Sequence, residues 1–368
     1  MIGRRLLLAR TASGLSLREL ADRIDNRVTA QAIGKYERDE MMPGSAALIA
    51  LASALAVSVD YLLGEQELVL DGVEFRKKAI TSRREEAQLE AAVLHLLERY
   101  LAVEEILGLR SVEWDRPRGA PYPVNEAADA DRAARSLRQA WNLGADPIPN
   151  LVELLEEQGI KVIALGLKLD NVDGLKAEVR RPNREPSPVI VVNRGVWGER
   201  QRFTLAHELG HMVMDLAPGV NAEKAADRFA GAFLMPAEAL WSEIGKHRTQ
   251  VSLGELLRLK ELFGASVQAI AYRCRDLGII PEPLFRGLFQ AFKARGWRSP
   301  PYKEPGALRI EEPRRFERLC YRALAEGALS EAKTAELLGL SVRELNRRMD
   351  GPDLEHGAGE AHPVADVA

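Results

Sequence analysis

Cysteine is nearly absent: 368 residues contain two, Cys274 and Cys320, in separate segments. That excludes a disulfide framework and a cysteine-built metal site, and both thiols are expected to be reduced and structural. Long apolar runs are missing too. None approaches the roughly 20 residues needed to cross a bilayer, so no membrane partner is expected. Arg4, Arg5 and Arg10 open the chain without a signal-peptide core behind them, and the expected location is the cytoplasm. Net charge is small: 51 basic against 54 acidic side chains leave −3, which excludes a chain-wide attraction to nucleic acid. Any DNA binding has to come from local asymmetry. What remains, 46% hydrophobic and 29% charged, can bury a sizeable core spread over two or three domains.

Histidine is also scarce, with six in the chain, yet two of them fall in His207-Glu208-Leu209-Gly210-His211. The lead-in Gly198-Glu199-Arg200-Gln201-Arg202-Phe203-Thr204-Leu205-Ala206 has no proline and reads as helix. Residues four apart on a helix are about 6 Å apart along the axis and roughly 40° apart in rotation. Both imidazoles can therefore chelate one ion, with Glu208 beside them to accept a proton from water. The competing reading is a surface helix with two histidines by coincidence. With so few histidines, that arises on the order of once per hundred such chains.

A third ligand is available downstream. Asn221-Ala222-Glu223-Lys224-Ala225-Ala226-Asp227-Arg228-Phe229-Ala230-Gly231-Ala232-Phe233-Leu234-Met235-Pro236 reads as a second helix stopped by proline. Glu223 and Asp227 share one face. Glu223 is the expected third ligand, and Asp227 is expected to orient a ligating imidazole through its free N–H. The small residues Ala222, Ala226, Ala230 and Gly231 would let this helix come close to Gly210.

The run Phe203-Thr204-Leu205-Ala206-His207-Glu208-Leu209-Gly210-His211, followed by Glu223, Ala226-Asp227, Phe229-Ala230 and Leu234-Met235-Pro236, resembles the ImmA/IrrE family of metallopeptidases. The resemblance covers roughly residues 146–280. The family typically has Asn where Asp227 stands; the Asp also resembles the ExxxD helix of gluzincins. The resemblance implies a small zincin-like fold and cleavage of transcriptional repressors in stress or mobile-element responses. Spacing by itself says only metal-assisted hydrolysis.

Local charge asymmetry exists in residues 1–65. Residues 1–38 hold eight basic side chains against four acids, whereas residues 39–65 hold only the acids Asp39, Glu40, Asp60 and Glu65. Five short helical patterns are punctuated by turn signals, with Ser16, Thr29 and Ser45 as N-cap types and Glu19 completing a capping box. Leu15-Ser16, Glu19-Leu20-Ala21 and Gln31-Ala32-Ile33-Gly34-Lys35-Tyr36-Glu37-Arg38 are similar to the second and recognition helices of the lambda-repressor-like (XRE-type) helix-turn-helix domain. Leu48, Leu51-Ala52 and residues 55–63 match its closing helices. The resemblance implies that the recognition helix enters the major groove of an operator. Gln31 can then pair with adenine, while Lys35 and Arg38 hold phosphates. Thr29, at the helix start, joins them as a candidate contact. Leu17 stands where the family often has a backbone-touching Gln, and Arg18 is the expected substitute. A five-helix interaction module without DNA is the competing reading.

Between these two regions, residues 74–107 show the apolar spacing of one long amphipathic helix, suited to an interdomain lever or a dimer seam. Residues 114–124, with Pro117, Pro121 and Pro123, read as a linker. Helices are expected over 127–143 and 151–158, and strands over 160–165, 175–179 and 189–193. A small sheet beside the metal helix offers an edge strand on which substrate backbone could be added. Two further helix-turn-helix-like patterns follow, over 253–277 and 330–345. The first could contact DNA, contact the substrate or finish the core. Residues 286–348 hold fourteen basic against eight acidic side chains, a surplus of six.

The expected fold is mainly α with a small β-sheet: a five-helix bundle over 1–65, a helical linker or dimerisation region over 66–145, a zincin-like α+β metallopeptidase domain over 146–281, a basic helical region over 282–350 and a disordered tail over 351–368. His207, His211 and Glu223 would hold Zn²⁺, with Mn²⁺ also acceptable to this ligand set, and Glu208 would act as general base. His247, Tyr272 and Arg273 are candidates for stabilising the oxyanion. The expected partners are double-stranded operator DNA, a second copy of the chain in a homodimer, and a protein substrate, either a helix-turn-helix repressor or a toxin–antitoxin partner. The alternative is a non-enzymatic, antitoxin-like transcription factor whose metal site is structural or sensory.

Overall fold

The computed structural model describes residues 2–64, 68–77, 83–109, 114, 116–166, 172–180, 186–299 and 302–351. The tail expected to be disordered, with His356 and His362, lies outside them beyond Gly351. The chain forms two compact units. One comprises Met1–Gln66, Leu97–Leu109 and Arg315–Ala368; the other comprises Glu67–Leu96 and Arg110–Arg314. Among the described residues no helix is long and apolar enough to cross a membrane.

The first unit begins with five short helices: α1 (Gly3–Ala12), α2 (Leu17–Arg23), α3 (Ala30–Glu37), α4 (Ser45–Ala54) and α5 (Val59–Leu63). Three of their starts carry a side-chain cap, whereas α1 and α4 have none, and Ser45, expected as a cap, is instead the first residue of α4 behind Gly44. Ser16 and Glu19 exchange hydrogen bonds in a capping box on α2, and Thr29 and Ser58 cap α3 and α5. Leu6, Leu20, Ile33, Leu51 and Leu62, all buried, form the centre of this bundle. After it comes α6 (Arg83–Ile106). The apolar spacing predicted this helix, with Leu89, Val93, Leu97, Tyr100 and Leu101 buried.

Residues 74–77, expected to open that helix, instead belong to a strand. The strands are β1 (Val69–Lys77), β2 (Tyr122–Val124), β3 (Lys161–Leu165), β4 (Val172–Arg180), β5 (Ser187–Asn193) and β6 (Met214–Leu216). A four-stranded sheet has the order β1-β4-β5-β3, with β3 and β5 parallel and the other pairs antiparallel. β1 is a fourth strand beyond the three expected, and it pairs along the outer edge of β4. β2 pairs in parallel with β6, and Tyr122 and Val124 are buried, so the proline-rich linker ends in a strand. Pro123, whose missing N–H cannot serve a ladder, sits at the exposed middle position of that strand.

The second unit also holds α7 (Ala130–Ala140), α8 (Leu151–Glu157), α9 (Gly198–Val213), α10 (Ala222–Leu234), α11 (Ala237–Ile244), α12 (Leu253–Phe263), α13 (Val267–Asp276) and α14 (Glu282–Ala294). One continuous core joins β3 and β5 to α7–α10, α12, α13 and α14. The pair α12–α13 finishes this core: Leu256, Leu259, Phe263, Val267 and Ile270 are buried in it. The remaining helices, α15 (Arg315–Ala325), α16 (Glu331–Leu338) and α17 (Val342–Asp350), belong to the first unit. Leu319, Cys320, Ala323 and Leu337 pack there against Tyr100 and Val103 near the end of α6. The stretch expected as one region over 282–350 is thus divided near Arg315.

Candidate metal centre

α9 and α10 lie side by side, and the contact depends on Gly210. A Cβ at that position would sit 2.9 Å from Cδ1 of Phe229, so the ring fills the space a side chain would take. The close approach was expected from the small residues of α10; the contact itself is an aromatic ring on glycine. Ala226 and Ala230 are fully buried on the same helix.

This packing brings three donors together. Nε2 of His207 and Nε2 of His211 are 3.1 Å apart, and the Glu223 carboxylate oxygens lie 3.4 Å from each. One ligand atom from each of the three lies within 4.8 Å of the others, and among the described residues no other group of His, Cys, Asp or Glu meets as a possible metal site. Two ring nitrogens this close to a carboxylate suit a shared cation. His207 is 1% exposed, whereas the Glu223 side chain is 69% exposed, so the cluster is anchored on one side and open to solvent on the other. Glu208, beside His207 in the sequence, is buried.

Asp227 stands beside the His207 ring. Its Oδ1 lies 2.8 Å from Nδ1 of His207. A carboxylate only accepts, so the ring proton sits on Nδ1 and the Nε2 lone pair points at the other two donors. α10 presents Glu223 and Asp227 because Asn221 caps its first turn, accepting from the N–H of Lys224.

Charged pairings that the sequence did not reveal fix the frame. Asp131 on α7 receives Arg273 of α13 at 2.7 Å and Arg228 of α10 at 3.0 Å. Buried Arg138 donates to the carbonyls of Phe233 and Gly144, and burial pulls its guanidinium down to about 10. The first turns of α9 are tied to the segment 304–311: Lys260 bridges Glu199 and Glu304 at 2.7 and 2.8 Å, and the Gln201 amide exchanges two hydrogen bonds with the backbone of Glu311. A signal for these pairings is hard to find in sequence, because each joins residues far apart in the chain.

A cleft of 740 Å³ is lined by Phe203, Thr204, Asp227 and Tyr272 among others; it meets the histidine cluster through Asp227, while His207, Glu208, His211 and Glu223 are not in its wall. Of the residues considered for the oxyanion, Tyr272 and Arg273 are both in this wall. Arg273 is committed to Asp131 and to the Met235 carbonyl. His247 lines a separate surface depression with Gly278–Pro281 that contains none of the metal-cluster residues.

In the amino-terminal bundle, Arg18, Thr29, Gln31, Lys35 and Arg38 are all exposed or half-exposed. Thr29 accepts from the N–H of Ala32, as a cap does. Arg38 forms a forked pair with Glu40, at 2.6 and 3.0 Å. Arg10, counted with the basic half, is turned inward: it grips Glu37 with two nitrogens and the Leu15 carbonyl with a third.

Comparison with known families agrees with both halves. Residues 155–275 match the family model of the IrrE N-terminal-like domain, a peptidase family, and residues 6–62 match that of a helix-turn-helix domain. A search of curated proteins gave no match. The chain is a fusion of a DNA-binding helix-turn-helix domain with an IrrE/ImmA-like peptidase domain.

Proposed function

We propose that this protein is a transcriptional regulator that binds an operator through α3 and cuts a partner protein with a Zn²⁺-dependent peptidase site. The observation that carries this reading is the convergence of His207, His211 and Glu223, with Asp227 holding the His207 ring. Two imidazole nitrogens and one carboxylate fit Zn²⁺ and also accept Mn²⁺. When bound, such an ion supplies Lewis acidity toward a peptide carbonyl and toward water. The remaining work falls to the chain. Asp227 keeps the His207 proton on Nδ1. The buried Glu208 carboxylate accepts a proton from the attacking water and returns it to the departing amine. The cleft beside Thr204 and Asp227 receives the substrate chain.

The target class is a helix-turn-helix repressor or a toxin–antitoxin partner encoded close by, cut in an exposed loop. In the amino-terminal domain, Gln31 reads a base while Lys35 and Arg38, with Arg18, hold phosphates. The test is to incubate the Zn²⁺-loaded full chain with such a neighbour-encoded repressor and follow its cleavage. Cleavage that a chelator abolishes and Zn²⁺ restores is the expected result; an intact repressor under all conditions would contradict the reading.

A further inference from the structure

Two pairs of helices outside the amino-terminal bundle share one local design. In each, a serine-capped helix ends in a left-handed glycine and is followed within three residues by a second serine-capped helix. In α12–α13 the residues are Ser252, Gly264 (φ 65°) and Ser266; in α16–α17 they are Ser330, Gly339 (φ 69°) and Ser341. A short glycine turn of this kind sets two helices at the steep angle of a helix-turn-helix.

Burial separates the two pairs. α13 buries Val267, Ile270, Ala271, Arg273 and Cys274, and its first N–H donates to Glu304. It cannot enter a groove. α17 is the opposite: Leu345 is its one buried residue in nine. Thr334, Ala335 and Leu337 bury the preceding helix. Val342, Arg343, Asn346 and Arg347 stand exposed. Among the described residues no ion pair engages Arg343. Glu344, the single acid within this stretch, is only half-exposed and folds back onto Arg348 and Arg347.

From this we infer that α16–α17 is a second DNA-reading element, with α17 lying in a major groove. Its leading turns carry the chemistry that base edges recognise: an arginine fork for guanine, a carboxamide for adenine and an apolar side chain for the thymine methyl. Arg347 adds a cation for the phosphates. The inference extends the DNA-binding role proposed for the amino-terminal domain and rests on it. It also supplies a reason why one protomer could be specific. One recognition helix covers few base pairs, and a second in the same chain does what a dimer partner does in other repressors.

The test uses the full chain and a library of duplexes randomised over about 40 base pairs, enough for several helical turns. Wild type should select two different sequence blocks. Replacing both Arg343→Ala and Asn346→Ala should erase one block and weaken binding to the selected site about 5- to 150-fold, while Gln31→Ala erases the other. Arg343→Lys keeps the charge and the helix but not the fork, and should lose preference at one base pair of the second block. That variant decides the matter if the double replacement lowers the helical signal. A wild-type site made of one block repeated as a palindrome, bound equally by Arg343→Lys and the double variant, would overturn the inference and leave the amino-terminal reading intact. Selection of no sequence at all would overturn both.

Discussion

Nδ1 of His207 lies 2.8 Å from Oδ1 of Asp227, and this contact decides which ring nitrogen can face a metal. Asp227→Ala should therefore keep the three ligands but bind Zn²⁺ about 10- to 100-fold more weakly. Asp227→Asn should retain most of the affinity, because its carbonyl oxygen can still accept from Nδ1–H. Competition against a chelator measures both. Equal affinity in Asp227→Ala and wild type would mean that the carboxylate does not orient the ring.

The helix contact can be tested at two glycines. Gly210→Ala forces a Cβ to 2.9 Å from the Phe229 ring, while at Gly231 the nearest atom to a new Cβ is 3.9 Å away. Overpacking costs about 1–3 kcal/mol. Alanine's better helix propensity returns up to about 1 kcal/mol. Gly210→Ala should thus lower the unfolding midpoint, and Gly231→Ala should raise it slightly. Identical shifts in thermal unfolding would contradict the packing described.

Much of this architecture is legible in the sequence because it is written in local signals. The capping box of Ser16 and Glu19, the Ser252–Gly264–Ser266 punctuation and the proline after Met235 each act within a few residues. Each half of the grouping of His207, His211 and Glu223 was also readable, since helical periodicity aligns His207 with His211 and Glu223 with Asp227. β1 escaped notice for the opposite reason. Its partner β4 begins about a hundred residues later, with Val69 opposite Arg180, and the charged residues Glu74, Arg76 and Lys77 blend into the helix that follows. The Asp131 clamp on Arg228 and Arg273 escaped in the same way, because pairing of distant charges leaves no periodic trace. Arg10 shows the converse error: a charge counted toward DNA is spent on Glu37 inside the bundle.

The exposed residues of α3 separate reading from anchoring. Gln31→Ala should lose about 1–3 kcal/mol of discrimination at one base step. Lys35→Ala should weaken binding to all sequences alike and flatten the salt dependence by about one phosphate's worth. Affinities measured over a range of salt concentrations distinguish the two. If both variants lose affinity equally on selected and random DNA, Gln31 does not read a base.

Cys274 and Cys320 are both buried, and burial pushes each thiol up to about 12. The thiolate is the reactive form, so neither should be alkylated in the native protein at mildly alkaline pH, and both should react once it is unfolded. Rapid labelling of either one in the folded chain would contradict the packing around it.

The peptidase reading depends most on Glu208. Glu208→Gln is nearly isosteric and neutral, and it removes the proton acceptor while leaving His207, His211 and Glu223 in place. A positioned general base contributes about 10²–10⁴-fold. The decisive measurement is cleavage of the partner repressor, followed together with derepression of its genes in the cell, in wild type, Glu208→Gln and His207→Ala. The account predicts that Glu208→Gln keeps its metal and its DNA binding but loses cleavage and derepression together. If Glu208→Gln regulates as well as wild type while His207→Ala fails, the metal serves as a sensor or a structural staple, and the peptidase account is contradicted.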